Sequence, residues 1–368
     1  MNPYSTNKAL YYVDRLADLK CGHVIAPVHL QLILSDLCNH NCSFCAYRMD
    51  GSYSDMFAVK DENGALVKNP NRMLSTEDAV MILKDAAKMG VKAVQITGGG
   101  EPTVHPECAA IIEAAHTFGL QTALVTNGSK LNERMREALL KSTLSSWVRV
   151  SLDAAISETY KTIRGLNSNT AFEKVCMNIK ELTSERNKIA PWVYVGISFV
   201  VTKENWEEIP AATELAKRLG ADSIRFASNF TPENDNYYSD FGDEAEALCE
   251  EAKKQDDFSF KAINSLSERR GDLRLGPPDY DFCAYQYLTA YIGADMNSYT
   301  CCCNAYNKRG LIGSVKEQGF LGLWESQEKK EFMASFNARD CERCQFNSRN
   351  HEINALIEVI PLEHVNFI

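Results

Sequence analysis

Short apolar runs alternate with amphipathic helical patterns between residues 28 and 227, and this alternation restricts the fold more than any other feature. The apolar runs are VHLQLILS (28–35), VKAVQIT (91–97), LQTALVT (120–126), WVRVSLD (147–153), WVYVGISFVVT (192–202) and ADSIRFA (221–227). A helix is predicted between the first two runs, with Ser75 as its N-cap and Gly90 as its stop. Apolar strands that alternate with helices run parallel. Six such units predict an α/β fold with a partial (β/α)6 TIM-like barrel.

Composition and charge exclude several classes of protein. Hydrophobic residues make up 45% of the 368 residues and charged residues 24%, which is enough for a folded core. The net charge of −10 argues against a nucleic-acid-binding surface, because binding phosphates needs an excess of basic side chains. No apolar run approaches the roughly 18 residues of a membrane span, and the first residues lack a signal-peptide pattern. We therefore expect a cytoplasmic protein with no nucleic-acid or membrane partner.

The character of the chain changes after Asn229, where an acidic, turn-rich stretch precedes an aromatic and cysteine-rich one. An acidic stretch of this kind is typical of a connector with a solvated face. The predicted divisions are an N-terminal extension (1–24), the partial barrel (25–230), an acidic helical connector (231–280), a small α+β cysteine-rich domain (281–346) and a C-terminal tail (347–368).

Nine of the thirteen cysteines lie in clusters. In a large cytoplasmic protein, clustered cysteines indicate metal or redox chemistry rather than a disulfide framework. The four solitary cysteines are Cys21, Cys108, Cys176 and Cys249. We expect these four to be packing residues, because a free cysteine behaves as a small hydrophobic residue.

The first cluster is the CxxxCxxC run of Cys38, Cys42 and Cys45, directly after the first predicted strand. Active sites of β/α barrels are built at this carboxyl end of the strands. Three thiolates can hold three irons of a [4Fe–4S] cluster and leave the fourth iron open to a small molecule. The spacing alone leaves two alternatives, a zinc site that uses these cysteines with His40, or three incidental cysteines.

A glycine run follows the second predicted strand. Gly98, Gly99 and Gly100 precede Glu101 and a proline. Consecutive glycines allow the backbone to approach a ligand closely and to offer its amides and carbonyls as hydrogen-bonding groups. A simple tight turn is the alternative interpretation of the run alone.

Taken together, these motifs resemble the radical S-adenosylmethionine (SAM) superfamily. The matching segments are CxxxCxxC with Phe44 before the last cysteine, GGGEP (98–102), TNG (126–128), SLD (151–153) and YKTIRG (160–165). The resemblance implies a [4Fe–4S] cluster whose open iron binds the amino and carboxylate groups of SAM. It implies reductive cleavage of SAM to a 5′-deoxyadenosyl radical that removes a substrate hydrogen, with electrons from a flavodoxin- or ferredoxin-type donor.

The resemblance also assigns roles to individual residues. The glycine run and Glu101 would hold the SAM amino group, and Phe44 belongs to the same cofactor site. Ser151 and Asp153 would face the ribose or the methionine moiety, and Arg164 would pair with the carboxylate. The alternatives are helix capping at a strand end for Ser151 and Asp153, and a surface ion pair for Arg164.

Three further residues complete the predicted cofactor site. Tyr47 lies just past the cysteine loop, and Val201 and Phe226 lie near the ends of later strands. The resemblance suggests that they lie near the adenine. Apolar and aromatic residues at strand ends are more often part of the core, which is the alternative for all three.

The second cysteine group resembles a Twitch domain, the shortened form of the SPASM domain found after many radical SAM barrels. Its predicted ligands are Cys283, Cys301, Cys341 and Cys344, which imply an auxiliary [4Fe–4S] cluster with four protein thiolates. GADMNSYTC (293–301) is similar to the family's β-hairpin that ends in a ligand cysteine. A structural zinc site with four cysteine ligands is the competing interpretation.

This segment departs from the family pattern in three ways. Asn350 and Asn354 stand where a full SPASM domain has two more cysteines, so a second auxiliary cluster lacks ligands. Met296 stands where the family usually turns on glycine. Cys302 and Cys303 are adjacent to Cys301, so the spacing does not fix which of the three is the ligand.

The resemblance favours an enzyme that oxidises a small molecule, as in amino-sugar or cyclitol dehydrogenases, with the auxiliary cluster as electron acceptor. A peptide-modifying maturase is the alternative, although the chain before Cys38 is short for a fused peptide-recognition domain. A non-catalytic iron–sulfur or zinc scaffold is a more distant alternative. The substrate pocket is expected to involve residues 48–74 and 285–304, and no catalytic acid or base stands out.

Overall fold

The computed structural model describes residues 6–48, 58–60, 66–68, 72–230, 234–272, 276–305 and 310–357. Twelve strands are assigned in these segments: β1 His29–Ile33, β2 Ala58–Lys60, β3 Leu66–Lys68, β4 Ala93–Thr97, β5 Gln121–Thr126, β6 Ser146–Ser151, β7 Val193–Val201, β8 Ser223–Ser228, β9 Lys261–Ser265, β10 Thr289–Ile292, β11 Asn297–Tyr299 and β12 Leu311–Ser314. Ten of them form one sheet in the order β12-β11-β10-β1-β4-β5-β6-β7-β8-β9, and β2 and β3 form a separate hairpin.

Helices follow most of the strands. They are α1 Val13–Lys20, α2 Thr76–Met89, α3 Cys108–Thr117, α4 Glu133–Leu140, α5 Ser157–Ile163, α6 Ala171–Ile189, α7 Ile209–Arg218, α8 Gly242–Ala252, α9 Leu266–Asp272, α10 Tyr285–Leu288, α11 Cys302–Ala305, α12 Gly319–Glu325, α13 Gln327–Ser335 and α14 Asn347–Ile357. Helix α2 has the predicted boundaries: the Ser75 hydroxyl accepts a hydrogen bond from the Asp78 N–H at 3.0 Å, and Gly90 ends the helix with a left-handed φ of 82°. Among the described residues, no helix has the length and apolar character needed to cross a membrane.

All six predicted strands are present as β1 and β4–β8, and neighbouring strands pair in parallel in chain order. Two parallel strands that the sequence did not predict extend this set. β9 lies inside the predicted acidic connector and pairs with β8, and β10 lies inside the predicted C-terminal domain and pairs with β1. Both are short, and their apolar residues give no clear strand pattern, so pairing with an existing sheet edge decides their structure.

The C-terminal cysteine-rich segment therefore shares one continuous sheet with the barrel. Strand β11 pairs antiparallel with β10, and β12 pairs antiparallel with β11. The predicted hairpin is present, and Met296 in its turn has a left-handed φ of 63°, which explains why glycine suits this position. The predicted domain boundaries stay predictions. Hydrogen bonds do cross the predicted boundary between residues 280 and 281, for example from the Gly276 N–H to the Glu342 carbonyl.

The two faces of the sheet differ in chemistry. On β7, Val195, Ile197 and Phe199 are fully buried against the helices, and the residues between them face the other way. We call the side away from the helices the concave face. On β6–β8 it carries Trp147, Arg149, Ser151, Tyr194, Gly196, Ser198, Val200, Ser223, Arg225 and Ala227.

The two ends of the described chain pack together. Leu16 and Leu19 of α1 and Ile353 and Ile357 of α14 belong to one buried apolar group. Helix α14 lies within the predicted C-terminal tail, so the first part of that tail is helical.

Two of the four solitary cysteines, Cys108 and Cys249, are buried in the core as predicted. Cys176 is partly buried against the same core. The packing prediction is wrong for Cys21, which is exposed after α1.

Candidate functional site

The first three cysteines lie on the loop that follows β1, at the carboxyl end of the sheet. Cys38, Cys42 and Cys45 are all partly exposed and reduced. The loop is compact, because the Cys45 N–H donates to the Cys42 carbonyl at 3.2 Å and the His40 N–H donates to the Cys38 Sγ at 3.4 Å. Three accessible thiols on one loop fit a [4Fe–4S] cluster with one open iron.

The turn after α5 holds this loop in place. The Asn41 N–H donates to the Arg164 carbonyl and the Ser43 N–H to the Ile163 carbonyl, both at 2.9 Å. Gly165 has a left-handed φ of 57°, and a Cβ there would lie 2.5 Å from the Asn41 carbonyl oxygen. The YKTIRG segment therefore packs directly against the cysteine loop, which explains why its glycine is needed.

The glycine run packs against the other side of the same loop. The Gly100 N–H donates to the Ser35 carbonyl at 2.9 Å, and the Glu101 N–H donates to the Leu37 carbonyl at 2.8 Å. A Cβ on Gly100 would lie 2.0 Å from the Leu37 carbonyl oxygen, which real side chains do not tolerate. Glycine is required here for the close approach of two backbone segments.

The Glu101 carboxylate is buried and hydrogen-bonded to neighbouring segments. Its Oε1 accepts hydrogen bonds from the Thr103 N–H at 3.1 Å and from the Thr103 and Thr126 hydroxyls at 2.6 Å each. Its Oε2 accepts one from the Asn127 N–H at 2.7 Å. Glu101 therefore joins the GGGEP and TNG segments. Among the described residues, the Oε2 atom accepts only this one hydrogen bond and can accept another, and the predicted role of Glu101 toward the SAM amino group remains a prediction.

Arg164 and Asp153 form a buried pair beside the cysteine loop. One Arg164 Nη donates to the Asp153 carboxylate and to the Ser151 carbonyl, and the other donates to the Cys42 Sγ at 3.2 Å. Asp153 is completely buried, and its Oδ1 also accepts from the Val200 N–H at 2.6 Å. The alternative of a surface ion pair is therefore wrong. Both N–H groups of one Nη are used, whereas within the described segments the other Nη donates only to Cys42, so the predicted pairing of Arg164 with a SAM carboxylate stays a prediction.

The charges of this pair explain its pKa directions. Burial raises the pKa of Asp153, although Arg164 opposes the shift. Burial alone would lower the pKa of Arg164, but the adjacent Cys42 and Asp153 outweigh burial and hold the pKa above its ordinary value. Arg164 is therefore always charged, and it offers a cationic hydrogen bond to a cysteine of the first loop.

The aromatic residues of the predicted cofactor site lie in different surroundings. The Phe44 ring lies 5.6 Å from the Arg164 guanidinium, and Tyr47 lies on a short helical turn after the loop. Val201 and Phe226 are fully buried on the helix-facing side of the sheet, where Phe226 packs on Phe199. Their positions match the core alternative, and the adenine role of all three predicted residues stays untested.

The C-terminal cysteines surround a small cavity. Five cysteines line it: Cys283, Cys301, Cys303, Cys341 and Cys344. They come from the segments before α10, after β11 and after the short turn at Ala338–Asp340. Within the described ranges, no three Cys, His, Asp or Glu side chains converge closely enough to share one metal ion. The thiols thus line a space rather than meet at a point.

Neutral groups donate hydrogen bonds to these thiols. The Tyr280 hydroxyl donates to the Cys344 Sγ at 3.3 Å, and the Asn304 amide donates to the Cys341 Sγ at 3.5 Å. The Cys302 Sγ instead accepts from the Gln345 amide. Such contacts tune the potential of an iron–sulfur cluster, and the cysteines present fit four-thiolate ligation of one.

Burial disfavours thiolates around this cavity. It raises the pKa of Cys344 to about 11, and burial together with neighbouring cysteines raises the pKa of Cys283. These thiols are therefore protonated at neutral pH in the absence of metal, and any metal that binds them must displace protons.

The two asparagines that replace SPASM cysteines connect helix α14 to neighbouring segments, and the Asn350 amide also donates to the Cys344 Sγ at 3.8 Å. The fully buried Asn350 accepts the Tyr285 N–H through its Oδ1 at 2.9 Å. Asn354 donates to the Phe282 carbonyl at 2.7 Å. Both amides fix helix α14 against the segment that carries Cys283.

The C-terminal segment contacts two strands that lie far apart in the sheet, β1 and β8. Cys302 packs against a buried group that includes Ile33 of β1 and Tyr291 of β10. Arg343, between the last two cysteines, lies 4.5 Å from the centre of the Phe230 ring just beyond β8. The cysteine-lined cavity therefore belongs to a segment that contacts β1 and the end of β8.

A charged network that the sequence did not reveal links the two cysteine regions. Asp36 accepts a hydrogen bond from the Arg72 Nε at 2.5 Å, and the Arg72 Nη1 lies 3.5 Å from the Asp295 Oδ2 in the β10–β11 turn. Tyr299 donates to the same Asp295 carboxylate at 2.6 Å. In the sequence, only the charged Asp36 next to the first loop could have indicated this network, because Arg72 and Asp295 lie far from it in the chain.

The predicted pocket segments are only partly described. Residues 49–57, 61–65 and 69–71 of the segment 48–74 lie outside the described residues, so its pocket role stays a prediction. In the segment 285–304, Tyr291 and Tyr299 lie in the buried group that contains Ile33.

Comparison with known sequences identifies the family. Residues 32–216, half of the chain, match the model of the radical SAM superfamily. A probable GTP 3′,8-cyclase of Saccharolobus islandicus (strain M.14.25 / Kamchatka #1) is 31% identical over 196 residues, which are 53% of this chain and 54% of that protein. The AdoMet-dependent heme synthase of Methanosarcina barkeri is 32% identical over 196 residues, 53% of this chain and 49% of that protein. The chain spans about half the length of the curated relatives it matches.

Solved structures extend the likeness of fold beyond the barrel. Streptococcus suis SuiB bound to S-adenosylmethionine has a TM-score of 0.61 at 18% identity, covering 91% of this chain and 72% of SuiB. The structure of anSMEcpe with bound AdoMet has a TM-score of 0.57 at 16% identity, covering 89% of this chain and 96% of that chain. With the family model matching the strands that carry the three-cysteine loop and the glycine run, the chain belongs to the radical SAM superfamily.

Proposed function

We propose that this enzyme oxidises a small molecule by two electrons and passes one of them to an auxiliary [4Fe–4S] cluster held by Cys283, Cys301, Cys341 and Cys344. When bound at the first loop, a [4Fe–4S] cluster and SAM would supply the radical that removes a substrate hydrogen atom. The substrate would then lose a proton and one electron to become a ketone or a similar product. The proton leaves to solvent and the electron to the auxiliary cluster.

One observation carries this proposal: five cysteines line a single cavity in the segment that contacts β1 and the end of β8. A cluster with four thiolate ligands has no open iron for substrate, which leaves electron transfer or support of the pocket as its function. Cys301 and Cys303 both line the cavity, whereas Cys302 packs on Tyr291 and accepts from Gln345. This favours Cys301 or Cys303 as the fourth ligand over Cys302.

The chain's own residues would prepare both sites. Arg164 would hold Cys42 in place and supply a positive charge beside it, while Asp153 keeps the guanidinium fixed. Glu101 would maintain the shape of the glycine run. A flavodoxin- or ferredoxin-type protein in the cytoplasm would supply the electron for SAM cleavage.

Metal analysis tests the auxiliary cluster. After anaerobic reconstitution, the full chain should contain about eight irons and eight sulfides, as two cubanes require. Replacing Cys38, Cys42 and Cys45 together by Ala should leave about four irons, those of one cubane, and remove all SAM cleavage. Zinc in place of the remaining four irons would contradict the proposal.

The reaction type needs a second test. With dithionite, SAM and a panel of polyols, amino sugars and cyclitols, a substrate should accelerate 5′-deoxyadenosine formation and give one oxidised product per 5′-deoxyadenosine. Freeze-quenched samples should show the auxiliary cluster reduced by the substrate. A product formed without any change in oxidation state would contradict net oxidation.

Peptide modification is the second candidate. Its support is the likeness of fold to SuiB bound to its precursor peptide SuiA, with a TM-score of 0.60 at 18% identity over 98% of this chain. The same 5′-deoxyadenosine assay with short peptides separates the two candidates. Acceleration by peptides and by none of the small molecules would favour this one.

A further inference from the structure

Three neutral side chains donate hydrogen bonds to the CxxC cysteines of the C-terminal cavity. The Tyr280 hydroxyl lies 3.3 Å from the Cys344 Sγ, and the Asn350 amide nitrogen lies 3.8 Å from the same sulfur. The Asn304 amide nitrogen lies 3.5 Å from the Cys341 Sγ. Both sulfurs of this pair therefore accept hydrogen bonds from groups that carry no charge.

These donors are shielded from water. The exposed fraction is 8% for Tyr280, 7% for Asn304 and 0% for Asn350. All three side chains line the cavity together with the cysteines. Water therefore competes little for their N–H and O–H groups, and hydrogen bonds in such low-dielectric surroundings are electrostatically stronger than hydrogen bonds in water.

Asn350 is the most informative of the three, because it stands where a full SPASM domain has a ligand cysteine. Its Oδ1 accepts the Tyr285 N–H at 2.9 Å, and this bond fixes the amide with its nitrogen toward Cys344. Only the nitrogen of the amide can donate to a sulfur. At the position of an absent ligand, this chain thus has a hydrogen-bond donor to a cysteine that is retained.

The charges around the cavity also favour a more negative occupant. Among the described residues that line it, Arg343 is the one charged side chain, and there is no Asp or Glu. A [4Fe–4S] cluster with four thiolates is negatively charged, and it gains one more negative charge on reduction. N–H and O–H groups directed at the sulfurs stabilise the reduced state more than the oxidised one, which raises the reduction potential.

We propose that Tyr280, Asn304 and Asn350 are redox-tuning residues that raise the reduction potential of the auxiliary cluster. A higher potential favours transfer of one electron from the substrate radical to the oxidised cluster, while the substrate radical loses a proton to solvent. This rests on the proposed function, since it requires a cluster at these cysteines. It adds the side chains that make the cluster an electron acceptor.

Redox titration of the reconstituted full chain, followed by electron paramagnetic resonance, tests the proposal. The signal that remains when the three cysteines of the first loop are replaced by Ala belongs to the auxiliary cluster. Tyr280→Phe removes one donor and keeps the ring. It should reduce the equilibrium constant for one-electron reduction of this cluster about 3- to 10-fold, where tenfold corresponds to about 59 mV. Total iron and the potential of the first cluster should not change.

A second variant and a matched control separate tuning from packing. Asn304→Ala removes a donor on a different segment and should lower the auxiliary potential by a similar amount. Tyr285→Phe is the control, because Tyr285 lines the same cavity but its hydroxyl hydrogen-bonds to Thr289 rather than to a sulfur. This control should leave the auxiliary potential unchanged.

An unchanged or higher auxiliary potential in both Tyr280→Phe and Asn304→Ala would overturn the proposal, and so would an equal fall in Tyr285→Phe. Loss of iron from both donor variants would also overturn it, because the donors would then hold the cluster rather than tune it. The proposed function fails in a different way. Zinc in place of the auxiliary iron in the wild type would remove both proposals, whereas shifted potentials without oxidation of any substrate would remove only the proposed oxidation.

Discussion

The two cysteine regions of this enzyme are built in opposite ways. Cys38, Cys42 and Cys45 share one loop, and a guanidinium donates to one of their sulfurs. The C-terminal cysteines come from three separate segments that enclose a cavity, and a tyrosine and two asparagines donate to their sulfurs. Three thiols on one loop would leave one iron of a cubane open, whereas the cavity is lined by more cysteines than one cluster uses. Under the proposed function, the first region would carry out SAM cleavage and the second would accept the substrate's electron.

The regions are nevertheless connected. β10 pairs directly with β1, and Arg72 lies between Asp36, just before the first loop, and Asp295 in the hairpin turn. A change in one region can therefore reach the other through the sheet and through this network. Four variants, each with a control, test the proposed difference between the regions and the connection between them.

The largest expected effect comes from removing Cys341 and Cys344 together. The Cys341→Ala/Cys344→Ala variant should lose about four of eight irons, those of one cubane, while 5′-deoxyadenosine formation without substrate remains measurable. Product formation should collapse, because the electron has no acceptor. Cys21→Ala, an exposed solitary cysteine, is the control and should keep all the iron. A soluble double variant with normal turnover would remove the distinction between the regions.

The next effect concerns Arg164. Arg164→Gln leaves the buried Asp153 without its cationic partner, which should cost about 3–5 kcal/mol of unfolding free energy. Loss of a cationic hydrogen bond to Cys42 should also lower the reduction potential of the first cluster. Denaturant unfolding and a redox titration followed by electron paramagnetic resonance measure the two effects.

Arg186→Gln provides the matched control for Arg164→Gln. It breaks a comparable ion pair with Asp222, away from both cysteine regions. It should destabilise the fold and leave both cluster potentials unchanged. An equal shift of potential in the two variants would mean that Arg164 acts only through stability.

A smaller effect is expected from Gly100→Ala. The added Cβ would lie 2.0 Å from the Leu37 carbonyl oxygen, so the glycine run and the cysteine loop must separate. Overpacking of this kind costs about 1–3 kcal/mol. SAM affinity should fall with little change in total iron. Gly271→Ala, whose Cβ would meet nothing within 4 Å, is the control, and an equal loss of SAM affinity there would contradict the explanation.

The smallest effect should come from Asp295→Asn, which weakens the connection between the regions. The Arg72 Nη1 lies 3.5 Å from Asp295, and a pair at this distance contributes about 1 kcal/mol or less. Hydrogen exchange should become faster at the backbone amides of the first loop. Asp281→Asn breaks an exposed pair with Arg339 in the C-terminal segment and should not change exchange in that loop. Equal exchange rates of the first-loop amides in Asp295→Asn and Asp281→Asn would show that the Arg72 network does not couple the two regions.

The first region was largely predictable because its information is local. CxxxCxxC, the glycine run and the RG of YKTIRG each require a residue type at a fixed spacing, and the structure brings these segments into contact. The partner of Arg164 was not predictable in the same way. Cys42 lies far from Arg164 in the sequence, and only the tertiary structure brings both Cys42 and Asp153 against its guanidinium.

The sequence by itself determined the six β/α units and their parallel order, since strand and helix periodicity and capping residues act over short distances. The tertiary structure decided what depends on contacts between distant segments. It added β9 and β10 to the sheet edges, because an unpaired edge offers hydrogen bonds to a segment of weak intrinsic preference. It also set Gly196 beside Arg149, because strand register is decided by pairing between distant segments and no local pattern encodes it.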